Sequence, residues 1–139
     1  MANDFRQFEI DLDAFCKKVE LSAATVTKRV GFDLLGRLVG KTPVDTGRAR
    51  GSWTIAVNEA DRTVLPPAPP GTVYPPPAIG ALDVRLNESL VISNNLPYIT
   101  ALNEGHSQKA PKAFVELAIE EVNLNMERLC REGIKDAGL

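Results

Sequence analysis

Two triplets in one short region of the chain have the residue types of known chemistries. Gly40-Lys41-Thr42 looks like the end of a phosphate-binding loop, in which backbone N–H groups and a lysine cradle phosphate. Asp45-Thr46-Gly47 is the triplet of aspartic proteases, where two carboxylates share one proton. The phosphate loop needs a further glycine five residues before Gly40, and Leu35 stands there. It also needs a strand before it and a helix after it, whereas here a helical pattern precedes and Pro43 follows. The protease triplet follows an apolar strand in such enzymes, but Lys41-Thr42-Pro43 precedes this one. A nearby Arg48 or Arg50 would hold the Asp45 carboxylate ionised and oppose a shared proton. A turn capped by Asp45 or Thr46, with Gly47 supplying a positive φ, accounts for the same residues.

The remaining candidates lack parts. His106 is the single histidine, so a triad or a histidine-based metal site is incomplete. Glu116, Glu120 and Glu121 read as the wet face of a helix. Trp53, Tyr98 and Phe114 are expected as core anchors, because an aromatic stacking platform would need a basic groove around it. Cys16 and Cys130 are too far apart in sequence for a zinc motif or a disulfide framework and read as buried thiols in a reducing cytoplasm. The reading is of no catalytic residue, no cofactor and no metal.

The elements that must position these residues follow from periodicity. Apolar residues recur at helical spacing through Leu12, Phe15, Cys16, Val19, Ala23, Val26, Val30, Leu34 and Leu38. Asp11 and Asp13 suit the positive end of that helix, Ser22 and Gly31 are places where it could kink or split, and Gly40 with Pro43 should stop it. Trp53, Ile55 and Val57 alternate with polar or small residues, the pattern of a half-buried strand. Ser89 to Asn94 predicts a second strand, with Leu90 and Ile92 on one face and a start as early as Val84 or Leu86. Asn94-Asn95 reads as a turn. Pro97 then opens a short helix ending at Glu104, with Gly105 as its left-handed cap. A long helix starts at Pro111, carries Phe114, Val115, Leu117, Ala118, Val122 and Leu129 on its apolar stripe, and pairs Glu127 with Arg131. The fold class is α+β: a long N-terminal helix, a small antiparallel sheet, a short helix and a long C-terminal helix packed on the sheet.

Between the strands, Leu65 to Pro77 holds seven of the ten prolines. Proline removes ladder donors and fixes φ, so the segment is extended and polyproline-like. It is either a floppy hairpin excursion or a semi-rigid arm that reaches a neighbouring subunit.

Composition bounds the rest. At 139 residues the chain is most simply one domain, spanning 1–139, and large enough for one core. A hydrophobic fraction of 44% and a charged fraction of 24% are ordinary for a soluble globular protein. A net charge of −2 provides no global basic field for nucleic acid. No apolar run approaches the roughly 18 residues of a membrane span, and the polar, acidic N-terminus is unlike a signal peptide.

An ordered series of motifs remains: Pro43-Val44-Asp45-Thr46-Gly47-Arg48, then Ser52-Trp53, Asn94-Asn95 with Tyr98-Ile99, Asn103-Glu104-Gly105-His106-Ser107, and Gln108-Lys109-Ala110-Pro111. The series, from about Val19 to Val122, resembles the tail-completion or neck proteins of long-tailed bacteriophages, the minor tail protein Z-like family. The Pro-rich portion is longer and richer in proline than that pattern. The resemblance implies a virion structural protein at the head–tail junction, made in the host bacterial cytoplasm. It further implies a homo-oligomeric ring, with other neck and tail proteins (head-closure, tail terminator, tail tube) as partners and DNA only as passing cargo. A tail terminator or a head-closure ring is the neighbouring alternative, and an aspartic protease using Asp45 is the reading from another class. Turn and interface candidates are Asp45, Thr46, Gly47, Arg48, Arg50, Trp53, Tyr98, Glu104, Gly105 and Pro111. Opposite charges on two of the motifs predict that Arg48 or Arg50 pairs with Glu104.

Overall fold

The computed structural model describes the backbone of residues 2–44, 47–69, 71–75, 77, 82–105 and 113–138, with side chains described from residue 19 onward. The order is α1 (Ala2–Lys41), α2 (Arg48–Gly51), β1 (Trp53–Val57), β2 (Leu90–Asn94), α3 (Ile99–Asn103), α4 (Phe114–Leu124) and α5 (Met126–Asp136). The α+β class predicted from the sequence is the class observed. Among the described residues no helix is long and apolar enough to cross a membrane.

At 40 residues, α1 runs about 60 Å and is the beam on which the rest is assembled. Neither Ser22 nor Gly31 breaks it. Gly31 is instead a point of close approach: a Cβ there would stand 2.6 Å from Leu90 Cδ1, so the missing side chain lets β2 lie against the helix. Gly133 serves α5 in the same way, with Val26 Cα only 2.8 Å from a would-be Cβ. The expected stop at Gly40 is corrected by one residue: α1 continues to Lys41, and Thr42 N–H still donates to the Leu38 carbonyl at 3.0 Å. Pro43 has no N–H to continue the ladder, and this terminates the helix.

β1 and β2 pair antiparallel, with Trp53 opposite Asn94, Ile55 opposite Ile92 and Val57 opposite Leu90. The register puts the apolar residues of both strands on one face, as their alternation predicts. A two-stranded sheet is marginal alone, and here it is held against α1. The core is Leu35, Leu38, Trp53, Phe114 and Ala118, flanked by the partly buried Leu34, Ile55, Ile92, Ile99 and Leu102.

Several expectations are corrected. β2 begins at Leu90, because Val84 and Leu86 lie in the preceding loop. Asn94 ends the strand rather than forming a turn. The last long helix is two helices meeting at Asn125, and its first half starts at Phe114 after a left-handed Ala113. Val19 and Leu117 are exposed rather than buried in their stripes. Cys130 is only partly buried, while the side chain of Cys16 lies outside the described set.

Charge fixes the helices side by side. Arg37 Nε donates to Asp33 at 2.7 Å, and its Nη1 donates to Glu121 at 2.9 Å. Lys41 Nζ lies 2.6 Å from the other Glu121 oxygen. Glu121 is therefore no mere wet-face residue. Arg29 holds α5 through Glu132 and Asp136, and the expected Glu127–Arg131 pair is present at 2.7 Å. The Lys41 ammonium, and after it the Arg37 guanidinium, holds the Glu121 carboxyl below the usual carboxylate range. A carboxylate with a lowered folded-state pKa adds stability that is present above its unfolded pKa and lost as pH falls through the folded one. The stability gap between wild type and Glu121→Gln is therefore expected at neutral pH and to close below the ordinary carboxylate range. Urea midpoints measured across that range check it, and a gap that stays constant would contradict the assignment.

Candidate functional site

The residues that end α1 and begin the sheet converge on one hydrogen-bonded joint. Thr42, 3% exposed, donates its hydroxyl to the Leu38 carbonyl at 2.6 Å. The same oxygen accepts from Trp53 Nε1 at 2.8 Å, so the buried indole is tied to the helix end. Burial of that N–H without a partner would cost about 1–3 kcal/mol, and the threonine oxygen removes the cost.

Between them stands α2, a single turn that periodicity did not predict. Gly47 precedes it at φ 88°, the left-handed conformation expected there. Gly51 N–H donates to the Gly47 carbonyl at 2.8 Å, and Ser52 Oγ donates to the Arg48 carbonyl at 2.7 Å. Asn94 at the end of β2 donates its amide to the Ala49 carbonyl at 2.8 Å. Its Oδ1 accepts from Leu96 N–H. One side chain thus links the sheet, the α2 turn and the approach to α3.

Gly47 and Gly51 are four apart, and each leaves room for the Pro-rich segment. A Cβ on Gly47 would stand 2.8 Å from the Tyr74 carbonyl oxygen, and one on Gly51 would stand 2.7 Å from the Pro75 carbonyl oxygen. Arg48 Nε donates to the Leu65 carbonyl at 2.9 Å, and Tyr74 OH donates to the Pro66 carbonyl at 2.5 Å. Leu65 and Tyr74 are therefore the two feet of this loop on its own subunit.

Arg48 also lies 5.9 Å from the centroid of the Tyr98 ring, in cation–π range. Tyr98 is 41% exposed, so the expected core anchor is in fact a surface platform under the arginine. Arg50 points its Nη2 toward Gly47, at 3.5 Å from the would-be Cβ, and its Nε is buried without a hydrogen-bond partner. Glu104 is the exposed C-cap of α3, and Gly105 follows at φ 98°, the left-handed cap that was expected. Among the ion pairs of the described residues, none joins Glu104 to Arg48 or Arg50. The predicted pairing is corrected: Arg48 is turned instead to the Leu65 carbonyl and the Tyr98 ring.

Asn103, in the motif but not among the candidates, organises the other end. Its carbonyl accepts from Ala113 N–H at 2.6 Å and its Oδ1 from Val115 N–H at 3.0 Å, while its amide donates to Glu116. It caps α4 from a distance, a role a sequence shows only as an amide with no local partner. Thr42, Asn94 and Tyr74 were not among the candidates because their partners Trp53, Ala49 and Pro66 are set by the fold and not by a local pattern. Asp45, Thr46, His106 and Pro111 lie outside the described residues.

No known protein family, curated protein or solved structure matches the chain. Among the described residues no group of three histidine, cysteine or carboxylate side chains could hold a metal ion. The hydrogen bonds of the joint tie the end of α1, the sheet and the Pro-rich loop to one another.

Proposed function

We propose that the chain is a structural virion protein of a tailed phage at the head–tail junction, a ring-forming subunit needed for tail completion and head–tail joining. The observation that supports this reading is the convergence of the ordered motif residues on a rigid joint. Ser52 bonds to Arg48, Arg48 lies over the Tyr98 ring, Trp53 stands opposite Asn94 in the sheet, and these two bond to the adjacent Thr42 and Ala49. A subunit repeated around an axis must present two different patches at a fixed angle, and a joint of this kind sets such an angle. The partners of this reading are further copies of the chain and neighbouring neck and tail proteins, with DNA as passing cargo.

The test is genetic and visual. A phage lacking this chain should accumulate filled heads and unattached tails, and supplying the wild-type chain should restore joined particles. Normal joining in its absence would sink the reading.

A further inference from the structure

The seam of α1 that packs on α5 continues along α1 past the place where α5 ends. Phe5, Phe8, Leu12, Phe15 and Val19 follow at alternating steps of three and four, and the same steps lead on to Ser22 and Val26. This is the a/d repeat of a coiled-coil seam, which closes against a second helix of the same spacing. At its inner end the seam is covered within the chain: Gly133 of α5 lies against Val26, and Ser22 is 7% exposed. One step further out the cover stops. α5 ends at Asp136, which pairs with Arg29, and Val19 is 45% exposed. The backbone runs on as helix to Ala2, about 25 Å beyond Val19. A helix of that length is marginal alone in water, and an apolar stripe along it calls for a second surface.

The positions beside the seam decide what covers it. Asp4, Asp11 and Lys18 flank it at g, and Glu9 and Cys16 flank it at e. Two parallel copies would set Asp4 of each against Glu9 of the other, with no opposite pair in return. Two antiparallel copies overlapping from Phe8 to Val19 set Asp11 of each against Lys18 of the other, and Glu9 against Cys16. In that register Leu12 stands opposite Phe15, and Phe8 opposite Val19. Sliding it by one heptad outward sets Asp11 against Asp11 and Glu9 against Glu9, which offsets the Asp4–Lys18 pairs it gains. Sliding it inward sets Lys18 against Lys18. Like charges set face to face disfavour those registers, so the segment complements its own reverse in one register.

We infer that residues 8–19 of α1 pair two copies of the chain as an antiparallel coiled coil, with Asp11 of each beside Lys18 of the other. The contact extends a seam the fold already uses for α5. Phenylalanines at about 150–250 Å² each, with Leu12 and Val19, bring the area buried by both copies to roughly 1,000 Å², the size of a specific contact. The pair is isologous and closes at two copies, so it does not depend on the ring reading above.

The experiment uses the whole chain in sedimentation equilibrium, with the emission of Trp53, the single tryptophan, reporting the folded body. Wild type should be a concentration-dependent dimer, and Leu12→Asp a monomer with native emission. Asp11→Lys and Lys18→Asp should each weaken the pair roughly tenfold, since two opposite pairs become two like ones. Mixed together, these two variants should pair with each other about as tightly as wild type, because each supplies the charge the other lacks. The double variant Asp11→Lys/Lys18→Asp should recover for the same reason. A wild type monomeric at every concentration, a dimer that survives Leu12→Asp, or a mixture no tighter than its parts would each overturn the inference. Head–tail joining is scored separately, by removal of the chain, so the phage reading and the dimer can fail independently.

Discussion

Trp53→Ala is expected to cost about 3–5 kcal/mol of unfolding free energy, the largest single loss at the joint. The indole is 7% exposed within the core of Leu35, Leu38, Phe114 and Ala118, so truncation opens a cavity where β1 meets α1. It also removes the donor to Thr42. Trp53→Phe separates the two effects. It keeps most of the ring volume and loses the hydrogen bond, for an expected cost of about 1–2 kcal/mol. Thr42→Val leaves the indole N–H buried without an acceptor and should cost at least as much as Trp53→Phe. Denaturant midpoints with unchanged slopes would measure all three. A Trp53→Phe loss equal to that of Trp53→Ala would show that the hydrogen bond, rather than packing, holds the joint.

Gly47→Ala should cost about 2–3 kcal/mol, and Gly71→Ala about 1 kcal/mol, although the two glycines share φ 88°. The difference is space. Gly71 has nothing within 4 Å of a would-be Cβ, whereas Gly47 has the Tyr74 carbonyl oxygen at 2.8 Å. An asparagine tolerates the left-handed region, so Gly71→Asn should approach wild type. Gly47→Asn should not, because the contact belongs to the Cβ and remains. Equal losses at both positions would mean that only backbone strain is at work.

The two substitutions show which parts of the site were legible. The left-handed Gly47 could be read from a proline, a turn residue and a glycine in sequence, since φ preference is local. Its second role could not be read, because it depends on a carbonyl 27 positions along the chain. Tyr98 reads like any buried aromatic, but in the fold it is 41% exposed with Arg48 5.9 Å from its ring centroid, a pairing that no local pattern shows. The Glu104 pairing was inferred from opposite charges on neighbouring motifs. Opposite sign gives no distance, and Arg48 found a carbonyl instead.

By itself the sequence determined the α+β class, the helix through Leu12 to Val39, the antiparallel strands with their shared apolar face, and the left-handed glycines at 47 and 105. Each follows from periodicity or backbone freedom, which are properties of neighbours along the chain. Tertiary structure alone decided that α1 is one unbroken beam, that the last helix divides at Asn125, and that Gly47 and Gly51 are spaced to receive Tyr74 and Pro75. It also decided that the Pro-rich segment stands on two feet and holds Val73 outward. These are matters of which surface covers which, set by contacts between residues far apart in the chain, and no local pattern encodes them.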